Sequence, residues 1–155
     1  MLSLKSRLSV GLAASLIGLL LLQWLIASVA IKRLTEGQLV ARLTHDAESL
    51  LAGVQFDTGG NLQIDQRRLS AVYQRPYSGH YFAVGSGADR QFSRSFWDTT
   101  LDLPDVASGS ELKIRTIGPD RQPLLVLALG FHKQDRDLTV AVAEDLSALN
   151  AGLRR

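Results

Sequence analysis

The chain opens with an uninterrupted apolar run. Residues 8–31 carry no charged side chain, and Gln23 is the one strongly polar residue among them. Helical rise is about 1.5 Å per residue, so this run reaches about 36 Å and crosses a hydrocarbon core of about 30 Å with some tilt. Trp24 is placed to act as an interface aromatic. Ser28-Val29-Ala30 offers the small residues of a signal-peptide cleavage site. The run, however, exceeds the usual signal-peptide core of about 7–15 residues, so the expectation is an uncleaved membrane helix.

Beyond residue 31 the pattern becomes amphipathic. Val40, Leu43, Ala47, Leu50 and Val54 recur at steps of three and four, while Glu36, Arg42, Asp46 and Glu48 take other faces. That spacing predicts a helix over 32–53 that continues from the span. Val40, Leu43, Ala47 and Leu50 form a dimer seam if a second copy packs there. The same stripe serves equally to cover the chain's own sheet.

From residue 54 the period drops to two. Residues 54–57 and 62–65 alternate around Thr58-Gly59-Gly60-Asn61, which predicts a hairpin. A short helix or turn is expected over 66–74, a strand over 80–84, a turn over 85–89 and a return strand over 90–96. Residues 97–109 read as loop. Strands follow over 111–117, 123–131 and 138–143, the middle one apolar enough to be covered on both faces. Their short connections predict an antiparallel meander. Asp145 can cap a last helix over 145–155. The order predicts an α+β domain, a sheet with helices largely on one side.

Charge sharpens this division. The net charge is +2, yet Lys5, Arg7, Lys32, Arg33, Arg154 and Arg155 flank apolar or terminal segments. The 120 residues 34–153 hold eleven basic and all fifteen acidic residues, a net of −4. A nucleic-acid binder would cluster basic residues on the folded domain, so no nucleic-acid partner is expected. Basic residues lie on both sides of the span and do not fix its orientation. A short cytoplasmic tail with an exported domain is the simpler arrangement. With no cysteine, disulfide scaffolds, thiolate metal sites and a cysteine nucleophile are excluded.

Little catalytic chemistry remains. His45-Asp46 lies in a helix, but no glycine-rich phosphate loop follows a strand anywhere. His80 and His132 have no second histidine at ligand spacing. Ser70, Ser78 and Ser93 lack a nucleophile-elbow context. Asp98, Asp102 and Asp105 form an acidic patch able to offer oxygen ligands to a divalent cation, with solvated loop acids as the alternative. Arg75, Arg94 and Arg115 can receive an anion or pair with the surplus acids. No catalytic residue and no cofactor site is expected within the chain.

Two segments are distinctive, QRPYSGHYF at 74–82 and SRSFWDTTLDLP at 93–104. Together with the leading apolar helix, HDAESLLAG at 45–53 and VAVAEDLSAL at 140–149, they resemble the amino-terminal part of proteobacterial sensor histidine kinases. The resemblance covers nearly the whole chain. It implies a cytoplasmic tail at 1–7, a transmembrane helix at 8–31 and a membrane-proximal helix at 32–53. A PAS-like extracytoplasmic sheet domain follows at 54–144, and a helix at 145–155 leads toward a second span absent here. The family-like motif residues are Pro76, Ser78, Gly79, Tyr81 and Trp97. Their plain structural roles are chain punctuation at Pro76 and Gly79, opposite strand faces for Tyr81 and Phe82, and closure of the sheet's apolar end by Phe96 and Trp97.

The resemblance further implies a signal-input region in the bacterial inner membrane, with its domain in the periplasm. It would act as a homodimer on a small ligand, cation or periplasmic protein. ATP, Mg and a response regulator would belong to the absent kinase region. His45 lies in the membrane-proximal helix and does not inherit the phosphoacceptor role. The alternative is a stand-alone membrane-anchored adaptor with no kinase.

Overall fold

The computed structural model describes residues 4–65, 67 and 69–147. The chain divides into two units, Met1–Leu39 and Val40–Arg155. The first unit is helical throughout its described residues, as part of α1, Leu4–Gly53. Its apolar side chains, from Leu8 to Leu34, are exposed. A helix apolar all round has no stripe to hide and suits a lipid environment. Among the described residues it is the one helix long and apolar enough to cross a membrane.

The second unit begins with the last turns of α1 and continues into a hairpin. Strands β1 (Val54–Phe56) and β2 (Leu62–Ile64) pair antiparallel, as the alternation predicts. Gly60 takes φ 81°, the left-handed conformation the turn needs. The Asp57 carboxylate accepts the Asn61 backbone N–H at 2.8 Å and fixes the loop.

The main sheet has five antiparallel strands: β3 (His80–Ser86), β4 (Asp89–Phe92), β5 (Glu111–Ile117), β6 (Pro123–Lys133) and β7 (Arg136–Asp145). Their spatial order is β4-β3-β7-β6-β5. The last strand therefore enters the middle, and β5 to β7 form the expected meander. The chain leaves β4 on one edge and must reach β5 on the other. Residues 93–110 make that crossing over one face of the sheet.

Both faces of the inner strands β3, β7 and β6 are buried, which explains the nearly unbroken apolar run of β6. On the loop side, Tyr81, Ala83, Leu124, Val126, Ala128, Ala141 and Ala143 pack with Phe96 and Leu103. Alternation sends Phe82, Val84, Leu127, Val140 and Val142 to the opposite side, and all are buried. On that side α1 is tied down by three polar contacts. Arg42 pairs with Glu144 on β7. Tyr73 donates its hydroxyl to Asp46 at 3.3 Å. Lys133 Nζ donates to the carbonyls of Leu51 and Val54, both at 2.7 Å, satisfying acceptors at the helix C-terminus.

The stripe on α1 is thereby accounted for. Leu43, Ala47, Leu50 and Val54 are buried within the single chain, and Val40 is half-buried. Leu43, Ala47 and Leu50 thus pack within their own domain, the second of the two roles the stripe allows, while Val40 keeps part of its surface exposed.

A correction concerns the return strand. It ends at Phe92, where Ser93 turns the chain into a short 3-10 turn, Arg94–Phe96. The Ser93 hydroxyl accepts the Phe82 N–H at 3.1 Å, so a side chain replaces a ladder carbonyl. At the far end, Asp145 accepts the Ser147 N–H at 2.8 Å, a capping contact. The rest of the helix expected over 145–155 lies outside the described residues.

Candidate functional site

The two distinctive segments meet at one end of the sheet. Pro76 and Tyr77 precede β3. The Tyr77 N–H donates to the Ser95 carbonyl at 3.0 Å. Gly79 takes φ 81°, and a Cβ there would stand 3.2 Å from that of Asp145. Its carbonyl accepts the Asp145 N–H at 2.8 Å, which ties the start of β3 to the end of β7.

Serines form the centre of this knot. Ser93 and Ser95 are buried, with hydroxyls 2.7 Å apart. Ser95 Oγ also donates to the His80 carbonyl at 2.7 Å, and Ser78 Oγ reaches the same carbonyl at 3.1 Å. Every hydroxyl is occupied, so these serines hold backbone in place rather than present nucleophiles. Tyr81 packs on Phe96 with ring centroids 4.8 Å apart, and its hydroxyl bonds Gln122. Burial raises the Tyr81 phenol above its ordinary pKa. Phe82 points the other way and meets Tyr73 edge-on at 5.3 Å.

Trp97 departs from its expected role. Phe96 closes the apolar end of the sheet, but Trp97 is 65% exposed. It takes φ 56°, and Tyr77 nearby takes φ 54°. Positive φ at a bulky residue is uncommon and carries strain. The Tyr77 hydroxyl donates to Asp98 at 3.1 Å, and this bond to a carboxylate raises the phenol's pKa.

The acidic patch does not assemble. Asp98 is engaged by Tyr77, and Asp105 pairs with Arg90 at 3.1 Å. Among the described residues no group of three acidic or histidine side chains is placed to hold a metal ion. A guanidinium beside Asp105 neutralises the charge a cation would need, which corrects Asp98, Asp102 and Asp105 as a joint site. His45 is exposed on α1. His80 stands 3.9 Å from Glu144, and His132 lies 2.8 Å from Asp137.

A cavity that no motif or periodicity marks lies at the opposite end of the sheet. It measures about 310 Å³ and lies between the crossing loop and the β3 and β7 strands. Gly85, Val106, Ala107, Leu138 and Thr139 contribute to its wall, with Asp105 and Asp137 at its rim. Thr139 is buried and its hydroxyl accepts the Val106 N–H at 2.9 Å, which pins the loop there. The volume suits a small molecule, and both rim carboxylates already have basic partners.

Comparison with known proteins supplies what local geometry does not. The chain is 35% identical over 152 residues to "Sensor protein kinase CarS" of Pseudomonas aeruginosa, a match covering 95% of this chain. The chain is homologous to part of a sensor protein kinase. It spans about a third (32%) of that relative's length. No family model matches the chain, and no solved structure matches it. The sensor-kinase relative and the long apolar helix together point to a membrane protein.

Proposed function

We propose that the chain is the signal-input region of a membrane-bound two-component histidine kinase, its sheet domain lying in the periplasm. The observation that carries this reading is the identity to a sensor protein kinase across nearly the whole chain. A long helix packed on an antiparallel sheet supports the PAS-like description of the domain. Kinase activity, ATP, Mg and a response regulator belong to sequence outside this chain.

Signal transfer requires two packing arrangements of similar energy. Polar ties from α1 to the rest of the domain, Arg42 to Glu144 on β7 and Asp46 to Tyr73 in the 3-10 turn Ala71–Gln74, are elements whose rearrangement would move the helix. With the stripe of α1 buried, a homodimer would use the exposed run at 8–31 or the outer positions Ala41, His45, Glu48 and Ala52. A ligand or envelope protein acting on the crossing loop would reach the helix through the sheet between them.

The test is a chimera in which this chain replaces the matching segment of the relative. One alanine inserted within residues 32–39 advances the helix by about 100°. Autophosphorylation in membrane vesicles should rise or fall with one, two and three insertions and recover near a full turn. Activity indifferent to insertion phase and to deletion of 54–145 would overturn the reading.

A further inference from the structure

The knot end of the sheet displays three large apolar side chains to solvent. Trp97 is 65% exposed, Tyr77 41% and Ile117 74%. They are linked through the fold. Tyr77 bonds Asp98, next to Trp97. The Tyr77 carbonyl accepts from Gln122 at 3.4 Å, and Gln122 accepts the Gly118 N–H at 2.8 Å beside Ile117. Ile117 pairs in register with Pro123, whose carbonyl accepts the Leu146 N–H at 2.7 Å.

The chain also enters and leaves the domain at this end. Arg42 meets Glu144, and Leu146 meets Pro123. Only eight residues, 32–39, separate the apolar run from Val40. Fully extended, eight residues reach at most about 30 Å, which bounds the length of the connection.

We propose that this end of the domain docks on the lipid headgroup surface, with Trp97, Tyr77 and Ile117 inserted at the interface. Rings with an apolar body and a polar edge favour that layer, and Trp and Tyr are enriched there. Exposed Arg75, Arg94 and Arg121 lie in the same segments as exposed Asp98, Asp102 and Asp120, with Asp98 already bonded to Tyr77. The guanidinium groups offer bidentate donors that complement phospholipid phosphates. The left-handed backbone at Tyr77 and Trp97 turns two rings outward that ordinary packing would bury, and fixed hydrogen bonds on both segments hold them so.

This inference rests on the membrane-anchored reading above, and the experiment separates the two. The protein has two tryptophans, so Trp24→Phe leaves Trp97 as the sole indole reporter. The full chain carrying this substitution is reconstituted in phosphatidylcholine–phosphatidylglycerol vesicles, some with lipids brominated near the glycerol backbone. Flotation with the vesicles reports anchoring. Trp97 emission should be blue-shifted and at least halved by shallow bromines, with less quenching by bromines near the chain ends. Ile117→Lys should weaken quenching while circular dichroism stays unchanged. A floating chain whose Trp97 emits as in water, or is blue-shifted without quenching because another protein covers it, overturns lipid docking alone. Failure to float overturns both readings.

Discussion

The guanidinium of Arg42 on α1 rests on the carboxylate of Glu144, near the end of β7. Glu144 is mostly buried, and Arg42 is about half exposed. The charge-assisted contact raises the Arg42 pKa further above its ordinary value. Glu144 also pairs across the ladder with His80, at the start of β3. One contact thus joins the helix that enters the domain to β7, the central strand of the sheet, and to its neighbour β3.

Breaking that pair should loosen the helix. Arg42→Ala leaves a largely buried carboxylate facing His80 at 3.9 Å without its guanidinium partner, and should cost about 1–2 kcal/mol, between the exposed and buried limits for ion pairs. Glu144→Gln should cost less, since an amide can still accept from Arg42. Denaturant unfolding in micelles would read both. A double-mutant cycle should show coupling of about 1 kcal/mol that shrinks in high salt. Strict additivity would mean the pair contributes nothing.

The crossing loop leaves almost no room above Gly130. A Cβ there would lie 2.1 Å from the Ala107 carbonyl oxygen and 2.4 Å from that of Val106. Backbone on both sides cannot yield cheaply, so Gly130→Ala should destabilise by about 1–3 kcal/mol. Gly37→Ala is the matched control. Nothing stands within 4 Å of that position, and it lies inside α1. It should stabilise the helix by about 0.5–1 kcal/mol. Thermal unfolding of the two variants should therefore shift in opposite directions.

Elements governed by period and turn chemistry were readable in advance. The hairpin at Gly60, the three-strand meander and the doubly covered β6 follow from alternation and apolar runs. What covers a stripe is a different question. The steps of three and four from Val40 to Val54 are the same whether the partner is a second helix or the chain's own sheet. Only the strand order decides it. Ser93 shows another limit, because its hydroxyl takes over a backbone partner and ends β4 where the residue pattern continues. Adjacent rings at Phe96 and Trp97 predict that both close the sheet's apolar end, whereas φ 56° turns Trp97 outward and leaves Phe96 to do so. The cavity depends on where residues 93–110 cross the sheet, and no local pattern carries that information.

Ser95 should prove structural rather than chemical. Its hydroxyl is fully buried between Ser93 Oγ and the His80 carbonyl. Ser95→Ala leaves two polar partners short of a bond and should cost about 1–3 kcal/mol. Amide exchange should accelerate first at Tyr77, bonded to the Ser95 carbonyl, and at Phe82, bonded to Ser93 Oγ. Exchange confined to other strands would show that the knot does not depend on this hydroxyl.

The three tyrosines predict how the fold fails in alkali. The protein has only Tyr73, Tyr77 and Tyr81, and all three phenols are raised above their ordinary value. Burial is the first cause for Tyr73 and Tyr81, and the bond to Asp98 is the first for Tyr77. Between the unfolded pKa of about 10 and the higher folded values, the folded chain holds more protons than the unfolded one. Stability is therefore complete below about pH 10 and falls as pH rises through the folded values. Absorbance near 295 nm at pH 10 should show less tyrosinate in the folded chain than in denaturant, where about half is ionised. Tyr73→Phe should reduce the alkaline loss while costing about 1 kcal/mol at neutral pH, because the bond to Asp46 is gone. Equal ionisation of folded and unfolded chains at pH 10 would show that neither burial nor Asp98 holds these protons.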